Sequence, residues 1–226
     1  MSYPLVALEW NPAYRVIPSR FPSVGLFDRV ASAEDFDALY ALEAMTNDRI
    51  RDEIGDISLV PAQERLFGHG STCIMAAFTH LNPQGSRFSD GTYGVFYCAR
   101  DKLAAIEETR YHQSQFMGAT REPPMRLQMR LLTVEARGEA ADLCEAAKTE
   151  PGIVDPDDYG YAQGVGRKLR AKGVQGILYP SVRHPGGECL AALRTAMLRN
   201  CMHSAHLEYN WDGRKIDAVF EVSRLL

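Results

Sequence analysis

The chain has 226 residues, 46% hydrophobic and 24% charged, an ordinary globular composition with enough length to bury a sizeable core. Its formal net charge of −4 and pI of about 5.9 argue against nucleic acid as the main partner, since phosphate neutralisation needs a basic excess. No apolar run approaches the roughly 18 residues of a membrane span, and MSYPLVALEWNP lacks the basic-then-apolar order of a secretion signal. A soluble, cytoplasmic protein is expected, with no membrane partner.

In chain order, Tyr14–Ile17 reads as a short strand, followed by an irregular extended segment rich in proline. Ser32 is a good N-cap for an amphipathic helix over 32–45, in which Phe36, Leu39, Leu42 and Met45 recur at helical spacing. Residues 47–60 read as a turn and irregular segment. Gly68, Gly70 and Ser71 lead into a short apolar helix spanning Cys73 to Phe78, which Asn82 and Pro83 close off.

The stretch from Gly85 to Gly94 is a turn-rich loop, Val95–Ala99 a strand, and Asp101 an N-cap for a helix to about Phe116. A strand is expected over 125–136 and a short helix over Glu139–Lys148. Tyr159–Lys172 is helical, stopped by Gly173. Gly176–Val182 and the segment GECLAAL are strands. The tail from His206 to Val222 is a hairpin: Leu207, Tyr209 and Trp211 alternate, Asp212-Gly213 turns, and Ile216, Ala218, Phe220 and Val222 alternate again. Strands and helices intersperse without regular βαβ units, so a single α+β domain with mainly antiparallel pairing is expected.

The five cysteines, Cys73, Cys98, Cys144, Cys189 and Cys201, are odd in number and widely spaced, and read as reduced thiols. No GxxxxGKS/T loop, HExxH or GxSxG is present, and the Gly160–Gly166 run does not match GxGxxG. The histidines form no spaced cluster, so no metal is expected. What remains is a constellation: Arg87 in a glycine-flanked loop, Tyr97 on the following strand, and Glu108, Tyr111 and His112 on one face of the next helix. Ala104 and Ala105 leave space one turn earlier, so this helix can floor a cleft. The same spacing is compatible with a solvated Glu107/Glu108 pair facing Arg110 and Lys102, a surface Arg87, a core Tyr97 and a bland strand-end Ser181.

Gly85-Ser86-Arg87-Phe88-Ser89-Asp90-Gly91, then Tyr97-Cys98-Ala99, then Ala105-Ile106-Glu107-Glu108 and His112 resemble the central signature of the RES domain, GGRW(N)xxGxxxxYxAxxxxxAxxE. Tyr14-Arg15-Val16 is similar to that family's opening strand, and Tyr179-Pro180-Ser181-Val182-Arg183 to its serine segment. Phe88 stands where the family has tryptophan, Ser86 where it has glycine, and residues 30–84 resemble a helical insertion relative to the family's shortest members. The histidine four residues on selects Glu108 over Glu107.

The resemblance implies an ADP-ribosyltransferase-like fold, a split β-sheet flanked by helices, and a toxin of the Xre–RES toxin–antitoxin type. Such proteins consume NAD, by degrading it or by transferring ADP-ribose to a protein, and an Xre-like antitoxin blocks the site. A homodimer is typical. The implied catalytic residues are Glu108, Tyr97, Arg87 and Ser181, and the implied NAD contacts are Arg15, Arg87, Tyr97, His112 and Ser181. Cleaving the nicotinamide–ribose bond needs negative charge beside an oxocarbenium-like ribose, donors for the pyrophosphate and an aromatic wall, and this set can supply them. Water, phosphate or a protein are all open as acceptor. A mono-ADP-ribosyltransferase and a nucleotide-binding module without turnover are the alternatives, beside a structural protein with a fortuitous motif.

Overall fold

The structure is a computed structural model that describes residues 3–19, 26–29, 32, 35 and 55–223. The helix expected over 32–45 therefore lies outside the described residues, except that the Asp35 backbone N–H donates to Ser32 Oγ at 3.1 Å, as an N-cap requires. The described strands are Leu5–Pro18 (β1), Phe96–Ala99 (β2), Met125–Asp142 (β3), Gly176–Pro180 (β4), Glu188–Ala192 (β5), Leu198–Trp211 (β6) and Ile216–Val222 (β7). The helices are Leu26–Arg29 (α1), Ser71–Thr79 (α2), Lys102–Thr120 (α3), Ala146–Thr149 (α4) and Gly160–Ala171 (α5). No helix among the described residues is long and apolar enough to cross a membrane.

The strands form one sheet in the order β1-β2-β5-β4-β3-β6-β7, and β1 also pairs with β3. The double pairing of β1 closes β1-β2-β5-β4-β3 on itself, while β6 and β7 run out from β3 as a separate limb. Every pairing is antiparallel except β3 with β4. The α+β class with a mainly antiparallel divided sheet is thus the observed architecture.

The sheet buries both faces. Val16, Met129, Leu131, Leu207 and Tyr209 pack with Ala104, Ala105 and Met117 of α3 and Ala162, Val165 and Leu169 of α5. Leu8, Phe96, Leu132, Val134 and Leu190 pack on the other side with Ile74, Met75 and Phe78 of α2. Helix α2, at the end of the stretch likened to an insertion, is therefore core.

Several predicted boundaries differ from the structure: β1 begins at Leu5, well before the expected Tyr14, and β6 at Leu198, before the expected His206. The strand expected to stop near residue 136 runs on to Asp142, and the helix expected from Glu139 starts only at Ala146. Its alanines favour a helix, but Ala140 and Ala141 are fully buried and pair with Val6 and Leu5 of β1 and with Gly176 and Ile177 of β4. Tertiary pairing overrides the local propensity. The hairpin turns as expected: Gly213 has φ +97°, and Asp212 Oδ1 accepts from the Arg214 and Lys215 backbone N–H groups at 2.7 and 2.8 Å.

Candidate active site

Helix α3 starts where Asp101 accepts a hydrogen bond from the Ala104 N–H at 2.8 Å. Its small residues let a chain approach closely. A Cβ placed on Gly187 would sit 3.0 Å from Ala104 Cβ, so the turn after β4 rests directly on the helix. That contact brings Ser181 to Glu108. Glu108 Oε1 accepts from Ser181 Oγ at 2.6 Å, from the Val182 N–H at 2.8 Å and from the Arg183 N–H at 3.2 Å. Ser181 Oγ in turn accepts from the His184 N–H at 3.0 Å. Among the described residues, Oε2 of Glu108 carries no hydrogen bond. Glu107 points elsewhere and pairs with Arg110 at 3.1 and 3.2 Å. The geometry therefore joins Glu108, and not Glu107, to the serine.

The loop before β2 supplies the second wall. Gly166 of α5 lets it in: a Cβ there would lie 2.1 Å from the Phe88 carbonyl oxygen. The Tyr97 hydroxyl accepts from the Phe88 N–H at 2.9 Å and lies 2.8 Å from Ser86 Oγ. Burial pushes its pKa up to about 12, against those two hydrogen bonds and the nearby Arg87, so the phenol stays neutral. Arg87 is buried. Its Nη1 donates to the carbonyls of Ile153 at 3.3 Å and Asp155 at 2.7 Å, and its guanidinium lies over the Tyr159 ring at 4.6 Å. It ties the 151–159 segment to the loop, and Nε and Nη2 have no protein acceptor among the described residues. Tyr179 lies between the walls. Its hydroxyl pKa is raised by burial first, then by Cys189, Glu108 and Tyr97, and its ring meets Phe88 edge-on at 5.0 Å.

At the rim, the Tyr111 hydroxyl donates to Asp157, and Arg183 stacks on the Tyr111 ring at 3.3 Å while donating to the Pro156 carbonyl. His112 is solvent-exposed overall. The protein packed beside its ring still lowers its pKa by desolvation first, then through Arg183 and Arg87, against the opposing effect of Glu108. A cleft of about 260 Å³ continues from Tyr111 and Arg183 along the neighbouring face of α3 to Arg110 and Lys215. Among the described residues, no group of three or more His, Cys, Asp or Glu side chains could hold a metal ion.

The family model of the RES domain matches residues 63–212. The chain belongs to the RES domain family. A Sinorhizobium fredii protein, the uncharacterized y4oC, is 29% identical over 217 residues, covering 92% of this chain and 86% of its own. A chain in the crystal structure of the M. tuberculosis MbcT–MbcA toxin–antitoxin complex is 15% identical and superposes with a TM-score of 0.47, covering 88% of this chain and 86% of that one.

Within the matched RES region the structure brings together Arg87, Tyr97, Glu108, His112 and Ser181. Arg15 is not among them. It lies on the opposite face of the sheet, over the Phe96 ring at 4.4 Å and near Cys201, Cys98 and Cys73. Its Nη1 donates to the Tyr97 backbone carbonyl at 2.8 Å, so it meets the site from behind. The reason is strand alternation: Tyr14 and Val16 face the core that holds Tyr97, while Ile17 packs with Phe96 and Cys98. Tyr179, Arg183 and Tyr159 also stand at the site, though the sequence assigned them no role there. For the first two, the flanking of Ser181 was the available signal. For Tyr159, no signal links it to Arg87, because the contact depends on how the 151–159 segment folds back.

Proposed function

We propose that this RES domain is a toxin that consumes NAD by cleaving the bond between nicotinamide and ribose. The carrying observation is the Glu108 carboxylate, with one oxygen pinned by three donors and the other without a partner among the described residues. Three donors fix the carboxylate's plane, so its charge is preorganised and does not need to reorient during reaction. In this reading, Oε2 holds a ribose hydroxyl and the carboxylate stabilises positive charge developing at ribose C1′ as the C–N bond breaks. The bonding pair leaves with nicotinamide, which departs neutral and needs no acid. The Tyr97 ring forms the nicotinamide wall, and Ser181 both orients Glu108 and offers a hydrogen bond to substrate. Nε and Nη2 of Arg87 serve the phosphates, and His112 guards the rim. An Xre-like antitoxin covers the centre.

Purified protein incubated with NAD is expected to release nicotinamide, measured by chromatography. Free ADP-ribose identifies water as the acceptor, ADP-ribose carrying an added phosphate identifies phosphate, and a mass gain on a host protein identifies ADP-ribosylation. NAD left intact in buffer alone, with phosphate and with host proteins refutes the reading, and binding without turnover would make the domain a nucleotide-binding module.

A further inference from the structure

On the face of the sheet away from Glu108, three thiols lie near Arg15: Cys73, Cys98 and Cys201. Cys73 is the third residue of α2, and it is only half-buried. Cys201 lies on β6 and is 4% exposed. The start of α2 is pressed onto this part of β6, because a Cβ on Gly70 would come within 2.7 Å of both the N and the O of Cys201. The two thiols lie beside one another in the same buried cluster. We infer that Cys73 is a peroxide-reactive thiol that closes a reversible disulfide with Cys201. The inference does not depend on how the Glu108 centre is used.

The surroundings divide the roles between the two sulfurs. The neighbouring Cys201 thiol holds the Cys73 thiol below its ordinary pKa. Arg130 and Arg15 assist, while burial and Asp28 oppose. Cys73 also stands in the first turn of α2, whose positive end acts in the same direction. Cys201 is the more deeply buried of the two, and burial beside Cys73 raises its pKa, so it keeps its proton. No other thiol is so placed: burial pushes Cys98 and Cys144 up to about 12 and also raises Cys189. Cys73 is thus the one thiol tuned towards thiolate, and it has a second thiol already in contact.

The chemistry balances with hydrogen peroxide as the oxidant. The Cys73 thiolate attacks one peroxide oxygen, the O–O bond breaks, and the leaving hydroxide takes a proton to become water. Cys73 is then a sulfenic acid. The Cys201 sulfur attacks the Cys73 sulfur, its proton leaves with the sulfenic hydroxyl as a second water, and the S–S bond forms. Two thiols are oxidised by two electrons and one peroxide is reduced to two waters.

The test uses the full chain, reduced and freed of reductant. Under limiting iodoacetamide at neutral pH, Cys73 should alkylate at least about tenfold faster than Cys144, the other half-buried thiol. After hydrogen peroxide, non-reducing peptide mapping should show a Cys73–Cys201 linked peptide that dithiothreitol releases. In Cys201→Ser, Cys73 should be trapped by dimedone as the sulfenic acid, and in Cys73→Ser no linked peptide should form. Alkylation of Cys73 no faster than Cys144 overturns the inference, as does peroxide driving Cys73 to the sulfinic acid without the link. Both decisive readouts come from the unmutated protein, so a variant that fails to fold does not blunt the test.

Discussion

Glu108→Gln separates the structural and the chemical parts of the carboxylate's role. Glutamine keeps the shape and an oxygen that can accept the same three hydrogen bonds, but not the charge. Those bonds come from donors at 2.6, 2.8 and 3.2 Å. A hydrogen bond to a charged group contributes about 1.5–3 kcal/mol, against about 0.5–1.5 for a neutral pair. Each short bond therefore weakens by about 1 kcal/mol and the longest by less, and the three share one oxygen and are not additive. Glu108 is also half-buried, so solvent screens part of the effect, leaving a net loss of about 1–2 kcal/mol. For a chain of this size that lowers Tm by roughly 2–8 °C, and the protein stays folded at 25 °C. Turnover should fall much further: removing a preorganised group that faces developing charge costs about 10²–10³-fold, or about 3–4 kcal/mol. Thermal melting by circular dichroism and nicotinamide release at 25 °C read the two separately. A glutamine variant that turns NAD over at the wild-type rate refutes the catalytic assignment. One with an unchanged Tm refutes the claim that charge strengthens the Ser181 turn's grip on α3.

Gly187→Ala places a methyl 3.0 Å from Ala104 Cβ and from His184 Cδ2, so overpacking should destabilise by about 1–3 kcal/mol. Adding Ala104→Gly, which alone costs about 1 kcal/mol of helix propensity, should recover part of the loss in a double-mutant melting cycle, whereas strict additivity would show that the two residues do not touch. Arg15→Ala leaves the Tyr97 carbonyl without its donor and should cost about 2–3 kcal/mol, seen as a lower Tm, with KM for NAD unchanged in the protein that remains folded. A raised KM at constant Tm would put Arg15 on the substrate after all. His112, whose pKa is lowered from 6.5 in the folded chain, stays neutral at a pH where the unfolded chain binds a proton. Stability should therefore fall as pH drops from about 7 to 5, and His112→Gln should flatten that part of the Tm–pH curve. A parallel curve for the variant contradicts the lowered value.

Local signals carried much of the fold into the sequence. Asp101 marked the start of α3 and Gly173 the end of α5, because caps act through the nearest few backbone groups. The Asp212-Gly213 turn fixed the hairpin for the same reason. The misread boundary at Glu139 lies where the chain is held by distant partners, and alanines carry no preference strong enough to report them. The site shows a similar division. Glu108, Tyr111 and His112 follow helical spacing and could be grouped from the sequence. The selection of Glu108 over Glu107 by hydrogen bonding needed Ser181, Val182 and Arg183, which meet the helix only because Gly187 and Ala104 are small.

Arg15 shows why even a strict two-residue period can leave a site residue on the wrong side. In a strand with one wet face, alternation of polar and apolar residues would have shown which side chains point inward. In β1 both faces are covered: Val16 joins the core beneath α3 and α5, and Ile17 packs into the core beneath α2. Tyr14, Arg15, Val16 and Ile17 therefore show no polarity contrast from which to infer the site face. The opening Tyr-Arg pair presents its tyrosine to the face that carries Tyr97 and Tyr179, and its arginine to the thiols. The guanidinium meets the site only through the Tyr97 carbonyl. A contact of that kind holds β2 against β1 and sets where the Tyr97 ring stands. Arg15 thus acts on position, and a substitution there should register first in folding.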